Sequence, residues 1–255
     1  MVRKVARRLR ELSLARRPSG DKNLQFYETG FHGDTYLLEL IDLIMDKCNI
    51  FIETGTNVGS TLAYVARRFP HVRCLSCEAD KKAYNYAKEN TRNFDNISLF
   101  NETSQEFMRQ VLKREDVLND EVLFWIDAHG YGFQWPLREE MKIITTHWKK
   151  GLVLIDDFLV PGLDCFGYYE YDGQVCSFDY IKGSLSSRHE YRLYYPIYTD
   201  RTSKHHPLRG WGLIEFGHTT KLELPENLKR RTRETLVSIS KVQHPGSQEV
   251  GVVSD

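Results

Sequence analysis

The chain lacks any run approaching the ~20 apolar residues needed to span a bilayer, and its first residues lack the apolar core of a secretory signal. Both absences lead us to expect a cytoplasmic protein with no transmembrane segment. Cysteine is scarce: Cys48, Cys74, Cys77, Cys165 and Cys176 form an odd, scattered set of five, poor material for a disulfide framework. Cys74 and Cys77 make a C-x-x-C, but a zinc site wants a second pair and a redox motif wants a helix N-terminus. Residues 72–78 read instead as a strand, on which positions three apart face opposite sides, so both cysteines are assigned to the core. Net charge is absent too, since 35 basic residues balance 35 acidic ones and no overall field marks nucleic acid or a membrane as partner. There is no internal repeat.

The 255 residues suffice for one large domain with appended tails. We divide them into a basic tail at 1–20, a main domain at 21–218, and a C-terminal helix with a disordered tail at 219–255. Residues 1–17 carry seven Lys/Arg against the single acid Glu11. Arg7, Arg8 and Arg10 with Val5, Leu9 and Leu12 read either as a short basic amphipathic helix or as a solvated terminus.

In the main domain, short apolar runs alternate with helical periodicity. Helix is predicted over 34–47, 60–68, 80–93, 106–113 and 137–148, and strand over 49–53, 72–77, 97–100, 122–126 and 152–155. Pro70 marks the end of the second helix. Such alternation predicts an α/β fold, a Rossmann-like, doubly wound and mostly parallel sheet covered by helices on both faces. Residues 191–198 and 210–216 read as two further strands, a C-terminal antiparallel hairpin extending the sheet. A last basic helix is expected over 225–237.

Ligands of such sheets bind outside the carboxyl ends of the strands. Glu53, Glu78, Asp127, Asp156 and Asp157 all fall at those ends, where close carboxylates repel unless cations or ligand donors meet them. Acids there can also cap the following helices. The first strand runs into Glu53-Thr54-Gly55-Thr56-Asn57-Val58-Gly59-Ser60-Thr61, a glycine turn that opens a helix and so presents backbone N–H groups to a ligand. The third glycine of a dinucleotide fingerprint is missing, which argues against an NAD-dependent oxidoreductase.

The E-x-G-x-x-x-G pattern resembles the first motif of class I S-adenosylmethionine (SAM) methyltransferases. Over about residues 34–216 the chain is similar to their metal-dependent O-methyltransferase branch, which includes catechol and antibiotic-sugar O-methyltransferases. The resemblance implies a cofactor site formed by Glu53, Gly55, Thr56, Asn57, Gly59 and Thr61, with Asn57 and Thr61 toward the methionine moiety. It further implies Glu78 on the ribose hydroxyls, Ser104 and Gln105 beside the adenine, and a contact from Asp127. It also implies a divalent cation, Mg²⁺, held by Asp127, Asp156 and Asp157, the aspartates lying 29 residues apart (156 − 127). Oxygen ligands of this kind suit Mg²⁺, Mn²⁺ or Ca²⁺ better than zinc.

Methyl transfer from a sulfonium is an in-line displacement that needs an aligned and deprotonated acceptor. His129, two residues after Asp127, is the candidate base, and Asp127 is taken with it as catalytic; a third ligand and a plain loop residue are the other readings of His129. Catechol enzymes place a lysine three residues beyond the metal aspartate, where this chain has Gly130, so a catechol acceptor is disfavoured. Tyr131, Phe133, Trp135, Tyr168, Tyr169 and Tyr171 are candidates to wall an acceptor pocket, with His205, His206, Arg209, Asp164 and Glu170 nearby. The expected acceptor is a hydroxyl of a sugar, glycan or natural-product-like small molecule. No nucleic-acid partner is expected, and homo-oligomerisation is left open. The competing readings are a metal-independent methyltransferase and a catalytically silent methyltransferase-like binding module.

Overall fold

The computed structural model describes residues 30–129, 135–200, 207–218 and 221–238. The basic N-terminal segment, Gly130, Tyr131, Phe133, His205, His206 and the tail at 242–255 lie outside the described residues.

The elements follow the predicted alternation. They are α1 (Thr35–Met45), β1 (Ile50–Thr54), α2 (Ser60–Arg68), β2 (Arg73–Cys77), α3 (Lys81–Thr91), β3 (Ile97–Phe100), α4 (Ser104–Val111), α5 (Glu115–Leu118), β4 (Val122–Ile126), α6 (Leu137–His147) and β5 (Gly151–Asp156). Beyond these come the small hairpin β6 (Glu170–Tyr171) and β7 (Gln174–Val175), then α7 (Phe178–Ile181), β8 (Glu190–Pro196), β9 (Trp211–Phe216), α8 (Glu226–Lys229) and β10 (Thr232–Ser238). Eight strands form one sheet in the order β10-β8-β9-β5-β4-β1-β2-β3.

From β3 to β5 the sheet is parallel, and β9, β8 and β10 add antiparallel pairings at one edge. The chain runs outward through β1, β2 and β3, then returns to β4 and β5 on the other side of β1, so the strand order reverses between β1 and β4. A crevice opens at such a reversal, at the strands' carboxyl ends. Every residue of β1, β4 and β5 is buried, as parallel strands covered on both faces require. Cys74 and Cys77 are core residues of β2, and burial pushes both thiols well above their ordinary range.

The expected helix over 225–237 is corrected by the structure. Only Glu226–Lys229 are helical, and Thr232–Ser238 pair antiparallel with β8, Arg233 opposite Tyr195 and Thr235 opposite Leu193. The β-branched Thr232, Thr235 and Val237 suit a pleated strand, while Arg233 and Glu234 are the charged residues that edge strands carry.

An unanticipated turn precedes α1. Gly30–Gly33 form a tight 3-10 turn in which Phe31 (φ 48°) and His32 (φ 60°) both adopt the left-handed region. Phe31 is fully buried and meets Phe51, Tyr64 and Trp125 edge-on, the last with ring centroids 4.9 Å apart. Asp34 then caps α1, accepting from the Tyr36 and Leu37 N–H groups and from the Tyr198 hydroxyl at 2.5 Å. Trp211 Nε1 donates in turn to the Tyr198 oxygen, tying the turn to the start of β9.

Candidate active site

The glycine loop sits at the strand reversal. Gly55 has φ +86°, and a Cβ there would lie 2.6 Å from the Asp127 carbonyl oxygen and 2.8 Å from the Ala128 nitrogen. Only glycine allows the β1 and β4 ends to approach this closely. Asn57 (φ 52°) and Gly59 (φ +87°) complete the left-handed turns, and Gly59 is the N-cap of α2.

Glu53 lies beneath this loop. Its carboxylate is 1% exposed and accepts from Ser76 Oγ at 2.5 Å, and the Thr56 hydroxyl lies 2.5 Å from the same serine oxygen. With the serine proton committed to Glu53, Thr56 is the donor of the second bond. Desolvation raises the Glu53 carboxyl to about 7 against the Ser76 hydrogen bond. Glu78, at the end of β2, is half-buried and accepts from the Asn57 N–H at 2.7 Å and from the Asp80 N–H at 2.8 Å. Thr61, half-buried in the first turn of α2, accepts from the Phe31 N–H at 3.3 Å. Ser104 is buried at the start of α4, and its hydroxyl donates to half-buried Gln105 at 3.4 Å. Glu53, Gly55, Thr56, Asn57, Gly59, Thr61 and Glu78 therefore gather around one loop.

One strand further along, a second cluster forms at the ends of β4 and β5. His129 Nε2 lies 3.0 Å from Asp127 Oδ1 and 3.7 Å from Asp157 Oδ2. Asp156 and Asp157 are buried, and Asp157 has φ 51°. Arg209 Nη1 lies 3.2 Å from Asp157 Oδ1. His32 Nε2 reaches both oxygens of Asp156, at 2.8 and 2.9 Å. Three carboxylates, two imidazoles and one guanidinium thus share a small volume. Two sets within it, His32 with Asp156 and Asp157, and Asp127 with His129 and Asp156, each bring ligand atoms within 4.8 Å of one another. This donor chemistry fits a divalent cation.

An aromatic wall stands beside the cluster. The Tyr169 ring packs on His129 at 4.3 Å between centroids, Trp135 meets Tyr169 edge-on at 5.3 Å, and Tyr180 stacks on Trp135 at 4.6 Å. Tyr168 and Tyr171 are exposed, as are Asp164 and Glu170.

Two members were not found in the sequence. His32 sits in a G-F-H-G turn without periodicity, 124 residues from its partner. Glu140, in the first turn of α6, is fully buried, and neither of its carboxylate oxygens completes a hydrogen bond. Burial raises its carboxyl to about 7, and the Ser104 and Thr54 hydroxyls stand near enough to moderate that rise. Its signal was the helical phase that it shares with Leu137, Met141 and Ile144, all of them buried.

A candidate O-methyltransferase from Klebsiella pneumoniae superposes on the chain with a TM-score of 0.50 at 17% identity, covering 81% of this chain and 94% of that one. This is the methyltransferase fold. Two further structures show TM-scores of 0.49 at 14% identity. They are the O-methyltransferase TomG from Streptomyces achromogenes in complex with SAM, covering 71% of this chain and 78% of that one, and an O-methyltransferase from Bacillus cereus in complex with SAH, covering 71% and 79%. No protein-family model and no curated protein matches the chain. Within the methyltransferase fold, the loop around Gly55 and the β4–β5 cluster occupy adjoining positions at the carboxyl edge. No described helix is long and apolar enough to cross a membrane.

Proposed function

We propose that the protein is a SAM-dependent O-methyltransferase acting on a hydroxyl of a sugar, glycan or natural-product-like small molecule with the help of a divalent cation. The observation that carries this reading is the juxtaposition, across the β1–β4 reversal, of the glycine loop with the His/Asp cluster. The backbone contact between Gly55 and Asp127 joins the two. The fold shared with the Klebsiella protein supports it.

The loop's half-buried side, with Asn57, Glu78 and Gln105, is the part able to meet a cofactor, whereas Glu53 acts from below by fixing Ser76 and Thr56. Bound SAM supplies an electrophilic methyl group, and a bound divalent ion lowers the pKa of a coordinated hydroxyl. Asp127, Asp156 and Asp157 would hold the ion, for which oxygen ligands alone point to Mg²⁺. His129, oriented by Asp127 through Nε2, would accept the acceptor's proton at its other ring nitrogen, Nδ1. Tyr169 and Trp135 would pack a ring beside His129 and exclude water. Arg209 would hold Asp157 in position.

The test is calorimetric titration with SAM and SAH, followed by methyl transfer from labelled SAM to a panel of hydroxylated sugars and phenols. Saturable binding with label entering a hydroxyl-bearing acceptor is the expected result. Absence of any SAM or SAH binding by the folded chain would remove the proposal.

A further inference from the structure

The ion site was expected to be a cage of oxygens, yet an imidazole from a distant turn reaches into it. The His32 side chain is nine-tenths buried, and its Nε2 stands between the two oxygens of Asp156. The ring is held from both sides of its own backbone. Phe31 is clamped among Phe51, Tyr64 and Trp125, and Asp34 is fixed by the α1 N–H groups and by Tyr198. A structural ion pair could be made by any flexible lysine or arginine, whereas here two successive residues adopt left-handed backbone to deliver a short, rigid ring.

The geometry suits ligation. His32 Nε2 and one oxygen each from Asp156 and Asp157 lie within 4.8 Å of one another. Ligands about 2.1 Å from a common ion stand roughly 3 to 3.5 Å apart, so small side-chain adjustments bring all three into contact with it. Asp157 is already divided, one oxygen toward Arg209 and the other toward His129. Asp156 belongs to both candidate sets, which makes it the shared ligand.

We propose that His32 is a ligand of the divalent ion bound at Asp156 and Asp157, and that this mixed nitrogen and oxygen set selects a transition ion, Mn²⁺, Fe²⁺, Co²⁺ or Zn²⁺, over Mg²⁺. Mg²⁺ keeps oxygen ligands and water, whereas imidazole suits the later divalent ions. The inference rests on the same site as the proposed methyl transfer and deepens it by naming the ion class. Asp127, which lies within ligand range of Asp156, stays on the oxygen side of this set, and His129 is left for the proton.

The experiment uses the full chain after chelator treatment, titrated separately with Mg²⁺, Mn²⁺, Co²⁺ and Zn²⁺ by calorimetry, with visible absorption read on the Co²⁺ form. Most carboxylate sites bind Zn²⁺ more tightly than Mg²⁺, so the deciding quantity is the change in that ratio on His32→Gln, which keeps an N–H donor near Asp156 but removes the imidazole. Expected is a loss of about 10- to 100-fold in Co²⁺ and Zn²⁺ affinity, an altered Co²⁺ spectrum, and a change of less than about 3-fold for Mg²⁺. Equal losses for all ions, unchanged Co²⁺ binding in the variant, or Mg²⁺ as the tightest ligand of the wild-type chain would overturn the proposal. Should His32→Gln fail to fold, judged by circular dichroism, X-ray absorption of the Zn²⁺-loaded wild-type chain decides: an imidazole shell supports the ligand, and an oxygen-only shell overturns it. SAH titration of the same samples separates the two readings. SAH binding without the nitrogen-dependent ion preference leaves the methyltransferase standing and sinks this inference, and the opposite pattern does the reverse.

Discussion

The two halves of the site are built in different ways. At the β1–β2 end, the loop from Glu53 to Thr61 is one continuous stretch, and the carboxylates within and beside it are already answered by nearby groups, Ser76 for Glu53 and two backbone N–H groups for Glu78 at the end of β2. At the β4–β5 end, the cluster gathers His32, Asp127, His129, Asp156, Asp157 and Arg209 from four separate parts of the chain. The first half is a preorganised backbone surface. The second is a concentration of carboxylates that two imidazoles and a guanidinium face.

That contrast sets out what substitutions should do. The largest effect belongs to the charged half: Asp156→Ala removes the residue shared by both ligand sets, so turnover should fall by about 10³-fold or more. SAH affinity should stay within about 3-fold, as measured by calorimetry. A comparable loss of SAH binding would show that the halves are not separable. Next comes the backbone half. Gly55→Ala forces a Cβ into the Asp127 and Ala128 backbone, where no flexible atom can yield, and should cost about 2–4 kcal/mol in chemical denaturation, with weakened SAH binding. A fully stable variant would mean that the two strand ends are less tightly apposed than described.

A smaller, pH-gated effect belongs to Glu140, which is buried near Thr54 and Ser104. Its carboxyl is raised from the ordinary 4.5 to about 7 by burial, so the folded state holds its proton more tightly than the unfolded one. This favourable contribution is complete below the unfolded pKa and is lost as pH rises through about 7. Glu140→Gln should therefore stabilise the chain by up to about 3 kcal/mol above neutrality and by little below about pH 4.5. Thermal melts across that range check the slope, and a gain independent of pH would show that Glu140 does not titrate as described.

Legibility followed the same division. β1, β2, β4 and β5 were readable because each is a short apolar run ending in an acid, and the loop was readable because its residues are consecutive. Glu78, Asp127, Asp156 and Asp157 could be placed from strand ends alone. His32 could not, since nothing in a G-F-H-G turn shows that it folds back onto a residue 124 positions away. Glu140 was encoded in helical phase, but an acid on an apolar face is easily assigned to solvent. β10 was misread because Arg230, Arg231 and Arg233 look like one face of a basic helix, whereas the pairing with β8 decides the matter.

The contact between Gly55 and Asp127 has a thermodynamic meaning as well as a steric one. The Asp127 N–H donates to the Thr54 carbonyl at 3.0 Å, so the last residue of β1 and the first residue after β4 share one peptide hydrogen bond. Any ligand that shifts one end does work on the other. Linkage then requires reciprocity: whatever factor a bound ion applies to SAH affinity, bound SAH must apply to ion affinity. Titrating each in the absence and at saturation of the other would measure that factor from both directions, and a factor of one would show that the shared peptide transmits nothing.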